Sequence, residues 1–208
     1  MPATTTLDVA VLVFARAPRP GEVKRRLIPR LGPWRAAQLH LRLTHHALRV
    51  AAAAGCGPVE LHLSARHALF KRSELQRGAD LGERMHRALS RALRRHRGAL
   101  LIGADCPALR PADLRRAARR LAGGCDVVLG PAEDGGYVLI GARRAVPRVF
   151  EDIAWGGPKV YAASAQRLDA LGYRWSALRL LWDVDRPSDL DRLKALRFAS
   201  APRRGARR

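Results

Sequence analysis

The chain has 208 residues, 48% of them hydrophobic, which suits one globular domain with a sizeable core. Its formal net charge of +21 is almost wholly arginine, since Lys24, Lys71, Lys159 and Lys194 are the only lysines, and most arginines fall on wet helix faces, as on a solvated, GC-biased surface. Cys56, Cys106 and Cys125 form no CxxC pair or disulfide framework, and the first apolar run is too short to span a membrane, which argues against a secreted disulfide scaffold and an integral membrane protein.

Met1 to Asp8 carries no basic n-region, so no signal peptide is expected and a cytoplasmic location is. Val9 to Phe14 is an unbroken β-branched and aromatic run, which predicts a central strand. A Pro-, Gly- and Arg-rich loop follows to Gly32. Pro33 suits the first turn of a helix whose apolar stripe is Leu39, Leu43, Ala47, Val50 and Ala54, ended by Gly55. Val59, Leu61 and Leu63 alternate with polar residues as a half-buried strand, and Leu81, Met85, Leu89 and Ala92 mark a second helix. A strand over Ala99 to Gly103 runs towards Asp105, and Pro107 stops it from continuing. Pro111 opens a helix with Leu114, Ala118 and Leu121 facing in. Val127 to Leu129 and Tyr137 to Ile140 read as strands, Pro158 to Leu171 as helix, Tyr173 to Leu181 as strand and Pro187 to Phe198 as the closing helix. This alternation predicts a single α/β domain over 1–198, with a mainly parallel sheet and helices on both faces. Residues 199–208 are predicted to be a disordered basic tail.

In a parallel α/β sheet, ligands sit outside the carboxyl ends of the strands, so acids placed there are positioned for chemistry. Asp105, Glu133, Asp134, Asp183 and Asp185 all follow predicted strands. A single such acid is equally a turn former or helix cap, and Asp185 can cap the last helix. Several together point to a site. Asp105 with Asp183 or Asp185 can share Mg²⁺ or Mn²⁺, which needs few carboxylates when substrate phosphates supply further oxygens.

The loop from Phe14 to Pro29 is neither GxGxxG nor GxxxxGK[ST], but it clusters cations near Gly21, where backbone can approach an anion. Gln76 to Met85 sets an amide and two glycines just before a helix. Its N–H groups can meet an anion, and Gln76 can read a base edge; Asp80 as a plain helix cap is the alternative. Asp134-Gly135-Gly136 also suits a tight hairpin turn into the next strand.

VLVFARAPRPGEVKRRLIPRLG, QRGADLGERM, LLIGADCPAL, VVLGPAEDGGYVLIG and LWDVDRPSDL occur in one order from about Val9 to Leu193. Together they resemble the DUF2064 family of glycosyltransferase-like proteins, also labelled rSAM/selenodomain-associated or arsenosugar-biosynthesis transferases. That family lies in the nucleotide-diphospho-sugar transferase (GT-A, SpsA-like) superfamily and is similar to the guanylyltransferases for molybdenum cofactor and phospholactate. The resemblance implies a Rossmann-like GT-A fold binding an activated nucleotide with Mg²⁺ or Mn²⁺. By that likeness Lys24 and Arg26 fall where phosphates are held, with Arg16, Gly21 and Arg84 in the same nucleotide-binding set. Gln76 and Gly78 fall near the base, Asp105 at the DxD-like metal position and Asp183 or Asp185 at the second acid. Glu133 or Asp134 would act as base for an acceptor hydroxyl or orient the sugar, and Gly135, Gly136 and Trp155 would form a substrate loop. Arg25 stands where a small hydroxyl residue is expected, and Trp155-Gly156-Gly157 replaces Trp-Ser-Thr, so acceptor choice does not carry over.

The expected function is metal-dependent transfer of a sugar from a nucleotide-diphospho-sugar to a small-molecule acceptor. The alternative is nucleotidyl transfer from a nucleoside triphosphate with release of pyrophosphate, which would use the same residues. A third reading, charge-driven nucleic-acid binding, is disfavoured by an aromatic content of 5% and by the lack of a recognisable RNA or DNA module.

Overall fold

The computed structural model describes residues 8–196; the tail over 199–208 and the end of the predicted closing helix lie outside the described residues. Seven strands form one sheet: β1 (Val9–Ala15), β2 (Val59–Leu63), β3 (Glu74–Leu75), β4 (Gly98–Gly103), β5 (Val127–Pro131), β6 (Tyr137–Ala142) and β7 (Trp175–Ala177), in the order β3-β2-β1-β4-β6-β5-β7. The helices are α1 (Ile28–Ala54), α2 (Leu81–Leu93), α3 (Pro111–Ala122), α4 (Val160–Ala170) and α5 (Asp189–Ala195). Among the described residues no helix is long and apolar enough to cross a membrane.

β1 is buried along its whole length between β2 and β4, both parallel to it. Its side chains divide by parity. Val9, Val11 and Val13 join Leu100 and Ile102 in packing against Ala47 and Val50 of α1 and Leu114 and Ala118 of α3. Ala10, Leu12 and Phe14 join Leu101 on the other face with Met85 and Leu89 of α2 and Leu168 of α4. Each fully buried Leu or Ile contributes about 1.5–3 kcal/mol relative to exposure, so the period-2 alternation of β1 is what assigns a helix layer to each face. A third cluster, with Leu27, Leu43, Trp182, Val184, Leu190 and Leu193, fastens α5 and the strap before it to α1.

The sheet is mainly parallel as expected, with one antiparallel strand from the hairpin reading of 134–136, and two details depart from the sequence expectation. β6 runs antiparallel to both β4 and β5, because the connection over 132–136 is too short for the crossover that parallel strands need. Helix α1 begins at Ile28 and is interrupted at Gly32, whose φ of 74° and ψ of 161° are not helical; Pro33 restarts it, as a first-turn proline should. The last strand is pared to Trp175–Ala177. Beyond it the chain keeps a single bridge, between Leu181 and Ala132, which carries it to the same end of the sheet as Asp105.

At the opposite end of the sheet Asp126 is 3% exposed. Its carboxylate accepts from Arg143 and Arg144 side chains and from the Arg174 backbone N–H, at 2.9–3.1 Å, so it clamps the amino end of β5 to its neighbours. Asp126→Ala removes the acceptor shared by the Arg174 N–H, Arg143 and Arg144, and is expected to cost about 1–3 kcal/mol in a urea titration. Nucleotide affinity should not change, since the clamp lies away from the carboxyl ends of the strands.

Candidate functional site

A cleft of about 800 Å³ opens over the carboxyl ends of β1 and β4. Its wall includes Arg16, Gly21, Arg25, His40, Ser64, Gln76, Arg84, Asp105 and Tyr137. A side cleft of about 320 Å³ adjoins it, shares Arg16, Arg25, His40 and Asp105, and adds Lys24, Arg26 and Asp185.

Asp105 is at the junction. Its Oδ1 lies 2.9 Å from the Lys24 ammonium and 3.3 Å from His40 Nδ1. Burial opposes its ionisation, but Lys24 and His40 outweigh it and hold the carboxyl well below its usual range. Lys24 is 8% exposed and also donates to the Val184 carbonyl, while Val184 N–H donates to the Asp105 carbonyl at 3.0 Å. To reach this position Lys24 adopts a left-handed backbone, φ 49° and ψ 41°. The strap over 182–185 is thereby laced to the loop after β4, which brings Asp183 into the field of Asp105.

Asp183 is shifted the opposite way. Burial, then the charges of Asp105, Asp134 and Asp185, push it up to about 7, with Lys24 opposing. Asp185, by contrast, pairs with Arg26, and its N–H donates to Asp189. Of the two acids the sequence left open, Asp183 is therefore the one coupled to Asp105 and Asp185 is tied to the basic loop.

Asp105, which lines both clefts, presents an oxygen that a divalent cation carried in by phosphates could use. Asp105 leaves Oδ2 with no protein partner among the described residues and its side chain is 43% exposed, while burial and then the neighbouring carboxylates raise the proton affinity of Asp183. Among the described residues no group of three or more His, Cys, Asp or Glu forms a ready cage, so remaining ligands must come from substrate or water.

The other sequence candidates fall into two groups. Arg16 lines both clefts with Arg25, and neither has an ion-pair partner among the described residues. Gly21, with φ 83°, lines the large cleft, as does Arg84, whose Nε donates to the Gly78 carbonyl at 3.0 Å. Gly78 supports α2: a Cβ there would come within 2.7 Å of the Arg84 nitrogen. Gln76 lines the cleft, but its amide nitrogen donates to the Ala15 and His62 carbonyls, stapling β1 to β2 and leaving the amide oxygen for a ligand.

The second group builds the rim. Glu133 is held bidentate by Arg192 of α5, which also stacks on Trp182. Asp134 accepts from Gly136 N–H inside the turn joining β5 to β6. Gly135, with φ 87°, passes so close to Pro158 that a Cβ would sit 1.8 Å from its carbonyl oxygen. Trp155 packs edge-on to Tyr137 and fills the space over Gly82, where a Cβ would approach its ring to 2.6 Å. These contacts give the turn and Trp155 structural work beside the cleft.

His40 and Arg25 were not singled out by sequence as ligand-handling residues. His40 is 2% exposed and sits on the buried stripe of α1 with Ala36, Leu43 and Ala47. A polar side chain at core spacing was the available signal.

The DUF2064 family model, described as an uncharacterized protein conserved in bacteria, matches residues 35–157. A phosphoenolpyruvate guanylyltransferase of Thermomonospora curvata is 32% identical over 98% of this chain and 88% of the relative. A candidate nucleotide-diphospho-sugar transferase of Desulfovibrio desulfuricans superposes with a TM-score of 0.85 at 29% identity, over 96% of this chain and 91% of that one. A Mycobacterium tuberculosis protein solved with manganese shares the fold at a TM-score of 0.55 and 21% identity, over 89% and 97% of the two chains.

Asp183 also sets a pH dependence. Its folded value of about 7 lies above the free carboxyl's 3.8, so the folded chain holds the extra proton and loses stability as pH rises between them. Asp183→Asn should therefore melt higher than the parent at pH 8 in chelator, with the gap closing towards pH 4. A constant gap across that range would remove the assigned cause.

Proposed function

Because the chain belongs to the DUF2064 family, we propose that it is a nucleotide-dependent transferase whose cleft takes a nucleotide together with Mg²⁺ or Mn²⁺, and that it transfers a nucleotidyl group to an anionic small molecule. The observation that carries this reading is the coupled acid pair Asp105 and Asp183, set beside a loop whose Arg16 and Arg25 have no ion-pair partner among the described residues. Asp105 and Asp183 would hold the cation, which when bound neutralises phosphate charge. Arg16, Arg25 and Arg84 would contact the phosphates, while Lys24 fixes Asp105 and Arg26 fixes Asp185. Gln76 and the Gly78 turn would border the base.

In the proposed step an acceptor oxygen attacks the α-phosphorus, the bond to the bridging oxygen of the β-phosphate breaks, and pyrophosphate leaves against the arginines. Two features favour this over sugar transfer, which the sequence put first. An ionised phosphate or carboxylate acceptor needs no general base, and of the two sequence candidates for a base Glu133 is engaged by Arg192 and Asp134 by the Gly136 N–H. The arginine-rich loop also suits the greater charge of a triphosphate. The Thermomonospora curvata relative makes guanine nucleotides and phosphoenolpyruvate the first pair to test. Sugar transfer is the second reading, supported by the likeness to the Desulfovibrio desulfuricans structure.

Purified protein with Mn²⁺, GTP and phosphoenolpyruvate should release pyrophosphate only when both substrates are present, and chelator should stop it. Asp105→Asn should lower kcat by about 10²–10³-fold, the range for losing one element of transition-state charge stabilisation. Turnover of GDP- or UDP-sugars, with no pyrophosphate from any triphosphate, would establish the second reading instead.

A further inference from the structure

The imidazole of His40 lies between two parts of the site that are far apart in sequence. Its Nε2 is 3.0 Å from the carbonyl of Arg16, the first residue of the basic loop after β1, and its Nδ1 is 3.3 Å from Asp105 Oδ1. The carbonyl can only accept, so a hydrogen on Nε2 points to it, while a hydrogen on Nδ1 points to the Asp105 carboxylate. The ring is 2% exposed and sits on an α1 whose neighbouring turn is packed by Leu43, itself fully buried. Thr44, one turn further on, donates its hydroxyl to the His40 carbonyl at 2.9 Å, a local contact that leaves the ring nitrogens to the site.

We propose that His40 is a positioning residue, which ties the Asp105 carboxylate to the start of the basic loop and keeps Asp105 Oδ2 turned to the incoming cation. The inference rests on the reading of Asp105 as a cation ligand. The physical case is one of geometry. Lys24 and His40 both engage Oδ1, so rotating the carboxylate gives up two contacts at once, and Oδ2 remains for a ligand. Carboxylates that bind metals are commonly oriented by such hydrogen bonds, and losing one typically weakens metal affinity by about 10–100-fold. The same ring also fixes the register of Arg16, so that cation and phosphate contacts form at a set separation.

Two substitutions separate the two contacts. In His40→Asn the amide nitrogen takes the place of Nδ1 and retains the Asp105 contact. In His40→Gln it takes the place of Nε2 and retains the Arg16 contact. The readout is the ratio of GTP dissociation constants in chelator and in Mn²⁺, measured by calorimetry on the full chain, with melting midpoints taken in parallel. The parent should show a large ratio. His40→Gln should lower it about tenfold or more while GTP affinity in chelator stays near the parent's, and His40→Asn should keep most of it. A ratio in His40→Gln equal to the parent's, or equal losses in both variants that track their melting midpoints, would overturn the proposal and leave His40 a core residue. A parent ratio of one would instead remove the cation-ligand reading, and the positioning role with it.

Discussion

The ion pair between Lys24 and Asp105 is the interaction on which the arrangement of this end of the molecule depends. A buried ammonium requires a partner, and Lys24 finds both a carboxylate and the Val184 carbonyl. Meeting that requirement draws three separate pieces of chain together: the loop after β1, the loop after β4 and the strap that precedes α5. The left-handed backbone at Lys24 is the local cost. Once the strap is in place, Asp183 cannot avoid the field of Asp105, and its raised proton affinity follows from that placement.

Two neighbouring carboxylates are thus shifted in opposite directions for physical reasons. Lys24 and His40 lower the proton affinity of Asp105 against its burial; burial and the surrounding acids raise that of Asp183. Such splitting marks sites where a cation or proton is handled. A divalent ion would reverse the balance at Asp183, so the free site is less stable at neutral pH than a neutral side chain there would make it. That is the usual relation between a functional site and the stability of its scaffold.

Much of the architecture was legible in the residues. The unbroken apolar run of β1, the punctuating residues Gly55 and Pro111, and the apolar stripes of α1 and α2 each act locally, so they could be read directly. The antiparallel β6 was also implicit in the shortness of the connection over 132–136, although strand alternation alone favours a parallel reading. The acids at strand ends were visible too. What could not be read was pairing. That Arg26 goes to Asp185, and Glu133 to Arg192, depends on how α1 and α5 pack through Leu43, Leu190 and Leu193. His40 looked like one more residue of a helix, and only its neighbours across the sheet reveal what its two nitrogens face.

The most direct test of the acid pair is a crystal grown with Mn²⁺ and GTP and measured at a wavelength where manganese scatters anomalously. The account predicts one strong anomalous peak between Asp105 Oδ2 and the Asp183 carboxylate, bridged to phosphate oxygens, with Lys24 still on Asp105 Oδ1. A peak held by other side chains, or nucleotide bound in the cleft with no manganese near Asp105, would contradict it.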